Sequence, residues 1–379
     1  MNTPLSTIQN QVPHGVIDLG LGDPPLSLLP LDLIREAAQV RLSLSDNLFL
    51  QYGAEQGDGY FRLALANFLS TSYGFEVKPE SLFITNGISN ALDLICTLFT
   101  QAGDTIFVEE PTYFLALRVF ADHHLNVISI DTDENGLVIE SLEENLAEFH
   151  PKFLYLIPTF HNPTGATLSQ ERRDRLVQLA QENDFIIAAD EVYHLLSYAQ
   201  KPPKSFAANI NNENVISLGT FSKILAPGLR LGWLQAHPEK IGRFNTCGLL
   251  DSGGGLNPFT SAIVRWVIES DGLDHNINKL RDIYRSRIQV MDSALRQHLS
   301  ELEYTTPYGG YFFWLRLPDG IDAKEFRQKA PEFKVDFRPG SLFSSTNGLN
   351  DYIRLCFVHY EEEKIREGIV RLAQCLQSR

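Results

Sequence analysis

The stretch Val215-Ile216-Ser217-Leu218-Gly219-Thr220-Phe221-Ser222-Lys223-Ile224-Leu225-Ala226-Pro227-Gly228-Leu229-Arg230-Leu231-Gly232-Trp233 decides how this chain is read. It opens as a β-branched strand, then delivers two hydroxyl residues and a lysine at the strand end, where open α/β sheets put their ligands. A desolvated lysine loses basicity and can attack a carbonyl to form an imine. Arg230 follows seven residues on, so Thr220, Ser222, Lys223 and Arg230 fall within eleven residues and together suit a phosphate. A surface lysine in a polar turn is the competing reading, and on this segment alone it would prevail.

Working outward, apolar runs alternate with helical patterns through the middle of the chain. Strands are expected at 82–85, 105–109, 127–130, 153–158, 185–190 and 215–218, with helices at 90–99, 113–122 and 169–183. Ser169 ahead of a Gln-Glu pair reads as an N-cap. Such alternation predicts an α/β domain with a mostly parallel sheet over 46–275. From about residue 275 the pattern changes to a long amphipathic helix over 275–300, strands at 311–317 and 352–358, and a terminal helix from Glu361. Residues 1–45 are rich in Pro and Leu with irregular periodicity. They are expected to join 276–379 in a smaller α+β domain.

Composition narrows the function. A chain of 379 residues suits two domains. Its net charge of -15 argues against a nucleic-acid partner, because phosphate backbones need a basic surface. Cys96, Cys247, Cys356 and Cys375 are scattered without a CxxC pair, which fits reduced thiols better than disulfides or a zinc site, and no metal is expected. The segment 1–6 lacks a basic stretch followed by an apolar core, and no apolar run has membrane-spanning length, so a cytoplasmic location is expected.

Further residues carry chemistry at other strand ends. Asp190 closes the apolar run Phe185-Ile186-Ile187-Ala188-Ala189-Asp190, where an ionised carboxylate needs a partner such as a protonated ring nitrogen; a helix-capping Asp is the alternative. Tyr193 could reach the same ring. His161-Asn162-Pro163-Thr164-Gly165 offers an amide at the sheet edge or simply a sharp turn. In Thr85-Asn86-Gly87-Ile88-Ser89-Asn90, Gly87 would let a helix N-terminus approach a phosphate, although no P-loop follows. Tyr113 could stack on a planar ring or fill a core. Arg354, inside the alternating run Tyr352–Cys356, needs an anion if it faces inward and is a solvated edge residue if it does not.

Taken together, HNPTG with Asn162, ADEVY with Asp190, TFSKILAPGLRLGW with Lys223 and IRLCF with Arg354 resemble the fold-type I, class I/II aminotransferases. Gly20-Leu21-Gly22-Asp23-Pro24, Gln51-Tyr52-Gly53 with Gly57, and Pro307-Tyr308-Gly309-Gly310-Tyr311-Phe312 also look like that family, in its 2-aminoadipate, kynurenine and aromatic aminotransferase branch. The resemblance implies an aspartate aminotransferase-like fold, pyridoxal 5'-phosphate as cofactor, and transamination between an L-amino acid and a 2-oxo acid. It implies that Lys223 is the Schiff-base lysine and proton-transfer base. Asp190 would pair with the ring nitrogen, Asn162 and Tyr193 would meet the ring hydroxyl, and Tyr113 would stack on the ring. The phosphate would rest on Ile88, Ser89, Thr220, Ser222 and Arg230, with Tyr52 reaching it from the second subunit of a homodimer. Arg354 would clamp the substrate carboxylate beside Asn162, and Gly22 would line the pocket.

One departure is that the stretch Asp251-Ser252-Gly253-Gly254-Gly255-Leu256-Asn257-Pro258 lacks the arginine that aspartate aminotransferases usually carry there, which speaks against strict dicarboxylate specificity by that route. The triple glycine is expected to form a flexible loop near the dimer interface, with a plain linker as the alternative. Another reaction on the same scaffold, such as a C–S or β-lyase or a decarboxylase, shares every cofactor residue. A non-catalytic regulator would carry a helix-turn-helix module, for which the segment before residue 24 is too short.

Overall fold

The computed structural model describes residues 8–378; the segment 1–6 read above for a signal peptide lies outside them. The strands run β1 (Ile17–Asp18), β2 (Leu82–Thr85), β3 (Thr105–Glu110), β4 (Asn126–Asp133), β5 (Gly136–Leu137), β6 (Phe153–Leu156), β7 (Ile186–Asp190), β8 (Val215–Thr220), β9 (Gly232–Ala236), β10 (Phe312–Arg316), β11 (Val335–Asp336), β12 (Arg338–Pro339) and β13 (Tyr352–Cys356). All six strands expected in the middle of the chain form, and all lie in one eight-stranded sheet of order β2-β9-β8-β7-β6-β3-β4-β5.

The central ladder from β8 through β7, β6 and β3 to β4 is parallel. Consecutive side chains on it point to opposite faces, Ile106 and Val108 into one apolar cluster and Phe107 into another. Burial on both faces explains why these strands read as unbroken apolar runs. The helices Ile88–Phe99, Phe114–Asp122 and Gln170–Glu182 connect them. Ser169 caps the third, accepting from the Arg172 amide at 3.2 Å.

Strand β9 has no counterpart among the strands expected from sequence. It starts on Gly232 directly after a loop, so its apolar content is only three residues long. It pairs antiparallel with both β2 and β8, and Trp233 lies opposite Gly219. A Cβ on Gly219 would come within 2.2 Å of the indole, so that glycine is the room in which the tryptophan sits. The helices Leu31–Ser43, Gly59–Tyr73, Ile139–Glu148 and Pro258–Glu269 were likewise absent from the sequence reading. Leu31–Ser43 buries only Ala37 fully and leaves Leu31 and Leu42 exposed, so no single apolar stripe marks it. It packs against Pro258–Glu269.

The smaller sheet joins β10, β13 and β12 antiparallel, and β1 pairs parallel with β11. The N-terminal segment continues along this unit, with the Leu19 amide donating to Asp336 O and Leu19 O accepting from the Cys356 amide at 2.6 Å. The helices Gly272–His298 and Glu362–Gln377 pack together beside it. The triple glycine is not a free loop. Gly253 ends the helix Gly248–Gly253, and the Gly255 amide donates to Gly53 O at 2.8 Å. Among the described residues, no helix is long and apolar enough to cross a membrane.

Candidate active site

The carboxyl ends of β2, β3, β6, β7 and β8 lie along one edge of the sheet, and the segments that leave them build the site. Lys223 follows β8. Its Nζ donates to Gly22 O at 2.7 Å and lies 5.3 Å from the centre of the Tyr311 ring. Burial pulls its pKa below that of an ordinary lysine, opposed by the nearby Asp23 carboxylate and weakly by Asp190. A lysine so placed is closer to its neutral, nucleophilic form than one on the surface.

Asp190 ends β7, 3% exposed. Its Oδ2 accepts from Tyr155 Oη at 2.9 Å and its Oδ1 from the Val192 amide at 3.2 Å. Burial raises the carboxyl to about 7, against the lowering effect of those two bonds. Such a group wants a cationic partner. Tyr113 follows β3, and burial together with the Asp190 charge pushes its hydroxyl up to about 12. Tyr193 is buried 5.2 Å from the Tyr311 ring centre and 6.0 Å from that of Phe312.

Arg354 faces inward from β13, 4% exposed. It donates through Nη1 to Asn162 Oδ1 at 2.9 Å and through Nη2 to Gly20 O at 2.7 Å. The Phe312 and Phe343 rings flank its guanidinium at 4.0 and 4.9 Å. Its buried Nε has no partner, and burial lowers its pKa to about 10. This is a cation held rigid, desolvated and short of an anion. Gly22 stands beside it. A Cβ there would lie 3.1 Å from Phe312 Cζ and 4.0 Å from Arg354 Nη2.

Three segments meet at Gly87, which has φ +87° and precedes the helix Ile88–Phe99 without a side-chain cap. A Cβ on Gly87 would come within 2.9 Å of Arg230 Nη2, and one on Gly232 within 2.8 Å of Gly87 Cα. Arg230, in the left-handed region with φ +47°, donates to Asn86 O and Pro227 O, both at 3.1 Å. Thr220 Oγ1 and Ser222 Oγ are linked at 3.0 Å, and Thr85 Oγ1 is buried without a partner. Uncapped N–H groups at a helix start, hydroxyls and a guanidinium are the kind of groups that could hold a phosphate. Ile88 and Ser89 supply the first turn of that helix.

Lys223, Asp190, Asn162, Tyr113, Tyr193, Gly22 and Arg354 therefore lie close together, and Tyr113 also faces Arg230, which packs on Gly87 ahead of Ile88 and Ser89 and near Thr220 and Ser222. Tyr52 does not join them within this chain. It is 80% exposed beside the Gly53–Gly255 bridge.

A family model described as aminotransferase class I and II matches residues 14–372. The chain belongs to the class I and II aminotransferases. It is 38% identical over 370 residues to aromatic-amino-acid aminotransferase 1 of Thermococcus litoralis, covering 96% of this chain and 88% of that protein. It is 32% identical to the 2-aminoadipate transaminase of Thermus thermophilus, over 96% of this chain and 90% of that one. The structure of the Pyrococcus horikoshii kynurenine aminotransferase, solved in complex with PMP, superposes with a TM-score of 0.90 at 35% identity, over 96% of this chain and 91% of the other. The fold is that of the aspartate aminotransferases, and this aminotransferase uses pyridoxal phosphate to transaminate amino acids. The phosphate nest, the buried Asp190 and the partner-seeking Arg354 fit that cofactor and an amino-acid carboxylate.

Several residues of the site escaped sequence reasoning. Tyr155 lies mid-strand with no polar signature around it, and Phe343 lies in a stretch outside every motif singled out above. Phe312, Tyr311 and Asp23 lay within motifs noted above but were assigned no role. Asn257, whose Nδ2 donates to Leu229 O at 3.3 Å and also to Arg230 O, could have been read from the Asn-Pro pair that opens the next helix.

Proposed function

We propose that this aminotransferase moves the amino group of apolar or aromatic L-amino acids to a 2-oxo acid, with the residue roles that follow. The observation that carries this reading is Arg354, held between Phe312 and Phe343 with one guanidinium nitrogen unpartnered. A substrate carboxylate supplies the missing acceptor, and the rings beside it favour an apolar side chain. Arg338 lies opposite Arg354 in the β12–β13 register, but it is engaged by both oxygens of Asp18 and by Asp336. It is not free to take a second, distal carboxylate. The relatives named for aromatic substrates support the same class.

Lys223 Nζ would hold the cofactor covalently, and once released it moves the proton at the substrate Cα. When bound, pyridoxal phosphate supplies the electron sink for the pair left on that carbon. Asp190 would hold a proton on the ring nitrogen, Tyr113 would cover the ring face, and Asn162 and Tyr193 would orient the ring hydroxyl. Ile88, Ser89, Thr220, Ser222 and Arg230 would hold the phosphate, while Gly22 keeps Cβ-sized space open beside Arg354.

The division into a cofactor domain over 46–275 and a smaller one over 1–45 and 276–379 belongs to this reading. So does a homodimer, supported by exposed Leu48, Leu50, Tyr52, Leu249 and Phe259, in which Tyr52 would reach the phosphate of the neighbouring subunit. A cytoplasmic location also belongs here, supported by four free cysteines. The test is a single-turnover screen of the loaded enzyme against phenylalanine, tyrosine, leucine, 2-aminoadipate, aspartate and lysine. Tyrosine or phenylalanine should convert the cofactor at least tenfold more efficiently than aspartate. The donor assignment fails if aspartate is converted as efficiently as either.

A further inference from the structure

Asp190 depends on a neighbour that no role above includes. Tyr155 sits on β6, fully buried, and its hydroxyl donates to Asp190 Oδ2 at 2.9 Å. Asp190 Oδ1 takes only the Val192 amide, at the longer distance of 3.2 Å. The other groups with charge or titratable protons that face Asp190 are Glu191 next to it, Lys223 from the segment after β8, Tyr113 from the segment after β3, and Tyr193. Glu191 is turned away into its own network, accepting from Ser217 Oγ at 2.7 Å and from the Phe206 amide. Tyr113 and Tyr193 are neutral phenols with no hydrogen bond to Asp190. Lys223 reaches Asp190 only as a weak electrostatic neighbour, its Nζ being spent on Gly22 O.

The Tyr155 bond therefore carries most of the specific stabilisation of Asp190 as an anion. A donor to a carboxylate favours its charged form, and burial favours its neutral form. The two oppose each other here, and the carboxyl lies near neutrality, at about 7. Tyr155 itself stays protonated across the working range, because burial and the Asp190 charge hold it well above an ordinary phenol. It can only donate.

We propose that Tyr155 is a positioning residue whose hydroxyl keeps Asp190 ionised, and so fit to hold a proton on the cofactor's ring nitrogen. This rests on the reading of Asp190 as the ring-nitrogen partner. Without the Tyr155 hydroxyl, Asp190 would be a weaker anionic partner for that nitrogen, and the proton between them would shift toward the carboxylate.

The test uses two readouts that do not depend on turnover. Infrared difference spectra of the cofactor-free protein, with Asp190→Asn subtracted, report the protonated carboxyl of Asp190 as pH is varied. Tyr155→Phe should raise that midpoint by about 1 to 2 pH units, the size of one hydrogen bond to a charged group. Replacing Tyr155 by difluorotyrosine, which keeps the shape and donates more strongly, should lower it. Tyr198→Phe, which removes a buried hydroxyl bonded to Gly310 O instead, should leave it in place. In the loaded enzyme, the resonance of a nitrogen-15 label in the cofactor ring should move toward the neutral-pyridine position in Tyr155→Phe. An unmoved midpoint in both Tyr155 variants overturns the inference, and so does an unmoved ring resonance in Tyr155→Phe. If instead Asp190→Asn leaves the ring resonance where it is in the wild type, it is the role of Asp190 that fails, whatever Tyr155 does.

Discussion

Replacing Arg354 by lysine keeps the positive charge but removes the fork. The guanidinium now donates to Asn162 Oδ1 and Gly20 O while its Nε remains open. A lysine ammonium on a flexible stem can reach only part of that set and lies less flat between Phe312 and Phe343. Losing one charge-assisted hydrogen bond to the substrate carboxylate costs about 1.5–3 kcal/mol. At about 1.4 kcal/mol per factor of ten, that is roughly 10- to 150-fold in half-saturation. Stopped-flow absorbance of the bound cofactor, followed against tyrosine concentration, separates half-saturation from the limiting rate. Arg354→Lys should raise the former within that range and change the latter much less. An unchanged half-saturation for several amino acids would refute the clamp.

Other consequences can be checked independently. Gly87→Ala puts a Cβ 2.9 Å from Arg230 Nη2 at φ +87°, so it should cost about 1–3 kcal/mol of backbone strain and weaken cofactor binding measured by equilibrium dialysis. Unaltered affinity would argue against the phosphate nest. Between the ordinary carboxylate value of 3.8 and about 7, the folded cofactor-free protein holds a proton on Asp190 that the unfolded chain has released, so its stability should fall as pH rises through that window, by an amount on the order of 4 kcal/mol at most. Asp190→Asn should flatten that slope in urea titrations at several pH values. Arg173 is buried with its Nη1 3.6 Å from Glu191 Oε1, so Arg173→Met should destabilise by about 3–5 kcal/mol by leaving that carboxylate uncompensated, and adding Glu191→Gln should recover part of the loss in thermal unfolding.

For the central strands, legibility in the sequence followed burial. Parallel strands such as Phe153–Leu156 and Ile186–Asp190 are apolar on both faces and announce themselves, as does the Ser169 cap. Elements whose apolar residues are not confined to one face did not, as with Leu31–Ser43, and neither did β9, whose glycine start hid it in a loop pattern. The same logic holds in the cleft. Lys223, Asp190, Asn162 and Arg354 are polar groups interrupting apolar or turn patterns, so each was visible one at a time. Tyr155, Phe312 and Phe343 contribute by what they touch across the fold, the first through a hydroxyl 35 residues away in sequence from its carboxylate. Aromatic residues inside strands look like core until the register is known. Tyr52 shows the remaining limit, since its expected neighbour belongs to another copy of the chain.

The central claim concerns Lys223, half-buried at the end of β8 with its Nζ on Gly22 O and its basicity lowered. Borohydride reduction of the loaded enzyme, followed by proteolysis and mass spectrometry, locates the residue that carries the cofactor. The account predicts a phosphopyridoxyl mass on the peptide containing Lys223, absent from Lys223→Ala. A label on any other lysine, with Lys223 unmodified, would contradict it.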